Sequence, residues 1–143
     1  MEKTAIVTDK APAALGPYSA AIKVKDSIHV SGQIPIDPAT GELAAADIKG
    51  QTRQSLANIR CILEAAGSSM CDVVETTVLL TDIDEFGPMN EVYAEFFSKP
   101  YPVRAAFQVV ALPKGAKVKE ALMNKIAFVF QNSKLFKSIM VMQ

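Results

Sequence analysis

PVRAAFQVVALPKGAKVKEA, residues Pro102 to Ala121, reads as a strand, a turn at Pro113–Lys114–Gly115 and the opening of a second extended segment. Arg104 is the one charge within the run Val103 to Leu112. A guanidinium stays charged at any cellular pH, and taking it out of water is costly unless an anion answers it. Either a carboxylate from elsewhere in the protein pairs with Arg104, or a ligand anion does. The residues around it leave both open.

Upstream of this stretch the pattern alternates between helix and strand. The segment from Glu85 to Ser98 reads as a helix with Pro88 in its first turn, where the missing N–H does no harm. Phe86, Met89, Tyr93 and Phe96 form its apolar stripe, with Phe97 beside it. Asn90 lies near its start, as either a surface residue or a ligand group. VVETTVLLT, Val73 to Thr81, is strongly β-branched and predicts a central strand, joined to the helix through Asp82–Asp84. Before it, Asp47 is placed to cap a helix running to about Ala66, with Gly67 as its stop signal. Leu56, Ile59, Leu63 and Ala66 recur at helical spacing and define a core-facing side. Arg53, Arg60 and Glu64 read as its solvated side.

Nearer the N-terminus, TAIVT (residues 4–8) predicts a short edge strand and APAALGP (11–17) a loop. SAAIKVK and SIHVSGQI follow as strands joined at Lys25–Asp26. In the second of these Ile28 and Val30 share one face and His29, Ser31 and Gln33 the other. Gly32 interrupts that strand, as a bulge or as a point of close approach by a ligand. Ile36 to Leu43 is a turn region by its Asp-Pro and Thr-Gly pairs. At the other end, IAFVF (126–130) reads as a strand, and SIMVM (138–142) as another strand or an exposed apolar tail. Strands, helix, strand, helix, strands is the order of an α+β layer, one sheet backed by two helices. Too little chain remains to cover the other face of that sheet, which predicts an oligomer.

Composition narrows the function classes. The 143 residues suit one domain, and half of them are hydrophobic, enough for a core without disulfides. Fifteen basic residues balance fifteen acidic ones, so no net field steers the chain toward nucleic acid or an anionic membrane. Near-zero charge also does little to keep copies apart. Cys61 and Cys71 read as free thiols, and a lone histidine, His29, with no C-x-x-C gives no metal site. MEKTAIVTDKAPAALG lacks the apolar core of a signal peptide, and no run approaches the ~18 apolar residues of a membrane span. A cytoplasmic protein is expected.

Five segments together carry a family resemblance: APAALGPYSAAI, SGQIPIDPATGEL, SLANIRCILEAAG, TTVLLTDIDEFGPMNEVY and YPVRAAFQVVALPKGAKV. In order and spacing, over about residues 4 to 118, the chain resembles the Rid/YjgF family of reactive-imine deaminases, whose older label is endoribonuclease L-PSP. The resemblance implies a chorismate-mutase-like α+β fold, a mixed sheet backed by two helices. It also implies a homotrimer with an inner barrel and active sites in clefts between subunits. The implied reaction is hydrolysis of 2-imino acids, or their enamine tautomers, to 2-oxo acids and ammonia, without metal or organic cofactor. The implied partners are a small 2-imino or 2-oxo acid and two further copies of the chain; no membrane is expected, and the neutral charge makes nucleic acid the weaker expectation.

Residue by residue, the tyrosine of the GPYS motif is Tyr18 and the Ser-Gly of SGQ is Ser31–Gly32. The asparagine of NEVY is Asn90, and the strand arginine that clamps the substrate carboxylate is Arg104. Two residues along that strand face stands Ala106, where some members carry cysteine. Family members continue past the Lys-Gly turn as V-E-I-E-A, the second glutamate contacting the attacking water. Here the sequence is Val118-Lys119-Glu120-Ala121-Leu122. Without a gap the glutamate position falls on Ala121, and with one residue deleted it falls on Glu120, the candidate catalytic carboxyl beside Arg104. A one-residue slip in a strand exchanges its faces, so the choice depends on register. Glu75, where relatives carry lysine, is a further departure. Residues 1–121 form the family-like domain and 122–143 a divergent terminal strand and tail. These departures keep two alternatives in view: a ligand-sensing or protein-binding trimer without turnover, and the ribonuclease of the older label.

Overall fold

The computed structural model describes the backbone of residues 1–121 and 126–127 and the side chains of residues 1–119. The architecture is α+β, with β1 (Thr4–Ile6), β2 (Ala21–Val24), β3 (Ser27–Val30), α1 (Ile48–Ala65), β4 (Glu75–Leu80), α2 (Phe86–Phe96), β5 (Val103–Gln108), β6 (Val118–Ala121) and β7 (Ile126–Ala127). The strands form two ladders where one sheet was expected: β1-β2-β3-β7, and β5-β4-β6. The strand SIHVSGQI ends early, at Val30 ahead of Gly32, which shortens the first ladder. Past that break Gln33, grouped with His29 and Ser31 by alternation, is buried while those two are half-buried, and its amide donates to the Ser31 carbonyl. Of IAFVF only Ile126–Ala127 is described, as β7. Residues 128–130, the SIMVM segment and most of the 122–143 tail lie outside the described residues.

The expected helix ends are in place. Asp47 caps α1 by accepting a hydrogen bond from the Gly50 N–H at 3.0 Å. That bond is the main cause holding its carboxyl below the ordinary aspartate range. The stabilisation this represents is complete above the unfolded aspartate pKa and disappears as pH falls through the depressed one. At the other end Gly67, with φ +80°, takes the left-handed conformation that stops the helix. Strand β4 is central to its ladder. It runs parallel to β5, through the crossover helix α2 that a parallel pair requires, and antiparallel to β6. Thr76, Val78 and Leu80 face inward from β4, against Leu56, Ile59, Ile62 and Leu63 of α1 and Met89 of α2.

Helix α1 also buries a row of polar residues that its periodicity does not announce: Gln51, Thr52, Ser55 and Asn58. Two of these do identifiable work. The Gln51 amide donates to the Ala45 carbonyl at 3.0 Å and accepts from the Lys117 N–H at 2.7 Å. The Asn58 amide donates to the Ile36 carbonyl at 2.9 Å. Together they tie the loop before α1 and the approach to β6 onto the helix. Arg53 and Arg60 are exposed as expected, yet both reach α2. Arg53 pairs with Glu95 at 3.2 Å, Arg60 lies 5.4 Å from the Phe96 ring centre, and Lys49 pairs with Glu91 in the same row. Such exposed pairs add little stability; the placement of α2 against α1 rests on the core that both helices share.

The hydroxyls of Thr52 and Ser55 have no hydrogen-bond partner. A buried polar group without a partner destabilises the fold. Ser55→Ala is therefore expected to raise unfolding free energy by about 1 kcal/mol, measured as a shift in denaturant midpoint at unchanged slope. A loss of that size would mean that the hydroxyl has a partner.

Candidate functional site

Arg104 sits on β5 beside Thr76 of β4, with its side chain on the helix-covered face. Phe86, Asn90 and Tyr93 meet it there, at positions i, i+4 and i+7 of α2, the spacing that puts three residues on one side of a helix. Nη1 of Arg104 donates to Oδ1 of Asn90 at 2.6 Å. Its Cζ lies 4.6 Å from the centre of the Tyr93 ring and 5.2 Å from that of Phe86. All three partners are neutral. Among the described residues, no carboxylate lies within 4.0 Å of the guanidinium. The internal salt bridge that the sequence left open is thus absent among the described residues, and Asn90 is a partner of the arginine. Ala106 lies two residues on along the same face, half-buried against the core and paired with Val78. Its methyl group offers no nucleophile.

Tyr18 and Gly32 belong to a second feature, a groove of ≈ 210 Å³ that also takes in Leu15, Gln33, Ile36 and Lys114. Tyr18 is 54% exposed, and its hydroxyl accepts from the Leu15 N–H at 3.3 Å. Ser31 stands behind this groove. Its hydroxyl donates to the Ser19 carbonyl at 2.6 Å, and its N–H bonds to the Ala20 carbonyl at 2.8 Å. Those two bonds hold the Tyr18 loop against Gly32, so Ser31 shapes the groove from outside its lining. Lys114 is a residue that sequence reasoning passed over. It occupies the left-handed region at φ +58°, which a lysine adopts only when its surroundings hold it there. Its ammonium donates to the Gly41 carbonyl at 3.1 Å, placing a cation at the groove. The Pro-Lys-Gly turn was legible, but nothing local announced where the lysine head would go.

The expected residues therefore fall into two half-sites on one chain. Arg104, Asn90 and Ala106 form one, and Tyr18 and Gly32, with Ser31 behind them, form the other. Among the described residues, no hydrogen bond or ring contact joins the two. Strand register bears on the candidate carboxyl. Glu120 pairs with Val78, and Val78 pairs with Ala106, so these three residues occupy one row across β6, β4 and β5. Ala121 falls in the next row, with Thr77 and Ala105. Of the two alignments, Glu120 is the one that shares a row with the Arg104 side of β5. Its side chain lies outside the described residues. No cluster of three or more histidine, cysteine, aspartate or glutamate side chains suited to a metal ion occurs among the described residues.

Residues 8–122 match the family model described as Endoribonuclease L-PSP. A RutC family protein of Sinorhizobium fredii is 56% identical over 114 residues, covering 80% of this chain and 90% of its own length. The bovine 2-iminobutanoate/2-iminopropanoate deaminase is 49% identical over 114 residues, covering 80% and 83%. Among solved structures, E. coli TdcF with bound serine superposes with a TM-score of 0.78 at 43% identity, covering 82% of this chain and 95% of that one. The chain belongs to this family, within which relatives of similar identity carry different functional names.

The neutrality of Asn90 makes a sharp test of the Arg104 charge. In Asn90→Asp a carboxylate replaces an acceptor 2.6 Å from the guanidinium. It is expected to pair with Arg104 and lower the affinity for a small monocarboxylate such as propanoate on the order of 10-fold, a modest effect because the site is open to solvent. Calorimetric titration of both proteins measures it. Equal affinities would show that Arg104 is not the anion-binding group.

Proposed function

We propose that this member of the endoribonuclease L-PSP family is a 2-imino acid deaminase, hydrolysing 2-iminobutanoate and 2-iminopropanoate to the 2-oxo acids and ammonia. The observation that carries the reading is the charge of Arg104, paired with no carboxylate among the described residues and contacted by an amide oxygen and two rings. Relatives 47–49% identical named for this activity support it. So does the bound serine in the TdcF structure, a small molecule whose carboxylate is of the kind a guanidinium grips.

In this mechanism Arg104 takes the substrate carboxylate through the N–H groups that Asn90 leaves free. The adjacent C=N carbon is then fixed relative to β5. The protonated imine is attacked by water at carbon, the C=N π pair moving to nitrogen as the C–O bond forms. One proton passes from the added water to nitrogen; the oxygen lone pair then forms the C=O bond as the C–N bond breaks and ammonia departs, and the remaining hydroxyl proton goes to a base or solvent, leaving the 2-oxo acid. Glu120 is the group proposed to orient that water and carry the proton, from its row beside Ala106. Imine hydrolysis is easy in water, so positioning supplies most of what is needed. Acid–base chemistry completes the balance without metal or organic cofactor.

The working unit is a cytoplasmic homotrimer, in which the Tyr18–Gly32 groove of one copy covers the Arg104 half-site of its neighbour. Val103 and Phe107, 68% and 56% exposed on the outward face of β5, supply apolar surface for that contact. Phe107→Glu is expected to shift the particle from three times the 15.4 kDa subunit mass to one, measured by sedimentation equilibrium. A parent protein that sediments as a monomer would remove the shared-site model.

Turnover is tested with imine generated in situ from threonine by a pyridoxal-phosphate dehydratase. The parent is expected to release ammonia well above the uncatalysed rate. Arg104→Ala is expected to lose roughly 100-fold in kcat/KM, the effect of removing a charge-assisted hydrogen-bond partner. An Arg104→Ala protein as fast as the parent would falsify the assignment.

A further inference from the structure

Tyr93 has a geometry that core filling does not explain. It is buried and packs on Phe97 with ring centres 4.5 Å apart, a task that phenylalanine would perform equally well. Its hydroxyl instead meets the Thr76 hydroxyl at 2.7 Å, inside the core. Thr76 is the β4 residue directly paired with Arg104 on β5, and both point to the helix side. Tyr93 thus spans two neighbouring strands, its hydroxyl bound to one and its ring 4.6 Å from the cation carried by the other.

We infer that Tyr93, anchored by Thr76 and assisted by Phe86, is the positioning residue that orders the Arg104 guanidinium before any anion arrives. This rests on the reading of Arg104 as a carboxylate clamp and adds the element that presets it. An arginine side chain has large rotamer freedom, and a clamp that must be ordered on binding loses affinity accordingly. A carboxylate would order the guanidinium, but only by occupying the charge that the ligand needs. An aromatic face attracts the cation through its quadrupole and leaves the N–H edge open. The hydroxyl pair ties the residue to the strand beside Arg104 and adds stability, while packing on Phe97 keeps the ring face in place with or without it.

Ring and hydroxyl therefore have separable duties. Tyr93→Phe keeps the π face and loses the anchor. It is expected to lower the melting temperature while changing 2-oxobutanoate affinity by no more than about 2-fold, whereas Tyr93→Leu is expected to weaken affinity about 10-fold. The decisive readout needs no ligand. The side-chain Nε–H resonance of Arg104, identified by its loss in Arg104→Lys, should show restricted motion in the heteronuclear NOE of the unliganded parent and of Tyr93→Phe. In Tyr93→Leu it should become mobile. Should Tyr93→Leu fail to fold, Phe86→Leu, at a half-buried position, takes its place, with a smaller loosening expected. Unchanged order in the folded leucine variant overturns the inference, as does a phenylalanine variant as mobile as the leucine one. If the parent neither binds 2-oxobutanoate nor hydrolyses imines, the proposed function fails, while the NOE still decides whether the ring orders the arginine.

Discussion

A cation whose partners among the described residues are all neutral is the constraint around which this molecule is arranged. Proteins readily immobilise an arginine with a carboxylate, and the resulting ion pair is then electrostatically satisfied. Here α2 offers Arg104 an amide oxygen and two ring faces from a single side of one helix. For that to hold, α2 must lie at a fixed height over β5. The β4–α2–β5 crossover delivers it there, and the core that α1 and α2 share holds it.

The second half-site depends on a different device. Loops that line grooves have few partners of their own, and their backbone groups must be satisfied somewhere. Helix α1 answers this with buried amides, Gln51 and Asn58, which take up the carbonyls of Ala45 and Ile36 and the N–H of Lys117. Ile36 lies in the wall of the groove, and Lys117 leads into β6, the strand that carries Glu120. One helix face thereby fixes the Tyr18–Gly32 side and the approach to the candidate carboxyl. The buried polar row is a cost to the core that is recovered as loop geometry.

What the sequence revealed and what it concealed divide along the range of the interactions involved. Asp47, Gly67, the β-branched run of β4 and the apolar stripe of α2 were readable because each expresses a preference settled within a few residues. Arg104 was readable as an anomaly for the same reason, being a lone charge in an apolar strand. Asn90 was ambiguous because its partner lies fourteen residues away and on another element. The burial of Gln51, Thr52, Ser55 and Asn58 was not legible, because the backbone groups that Gln51 and Asn58 bind lie outside the helix. Arg53 and Arg60 looked free for a similar reason. The reach of a long side chain to the next helix is a tertiary fact. The choice between Glu120 and Ala121 was likewise undecidable from spacing and became a matter of register, set by pairing with Val78.

That register bears on what kind of departure the altered segment after Val118 represents. Had Ala121 shared the Val78 row, the strand would present a methyl group in the row of Ala106. The proposed clamp would then have no candidate carboxyl in that row. Instead Glu120 shares the row of Val78 and Ala106, and the antiparallel pairing with β4 continues from Val118 to Ala121. A strand accepts the loss of one residue only if the segment beyond it shifts as a unit, since each later side chain would otherwise exchange faces. The pairing of β6 with β4 therefore sets which residue of the altered segment can share a row with the Arg104 side of β5, and that residue is Glu120.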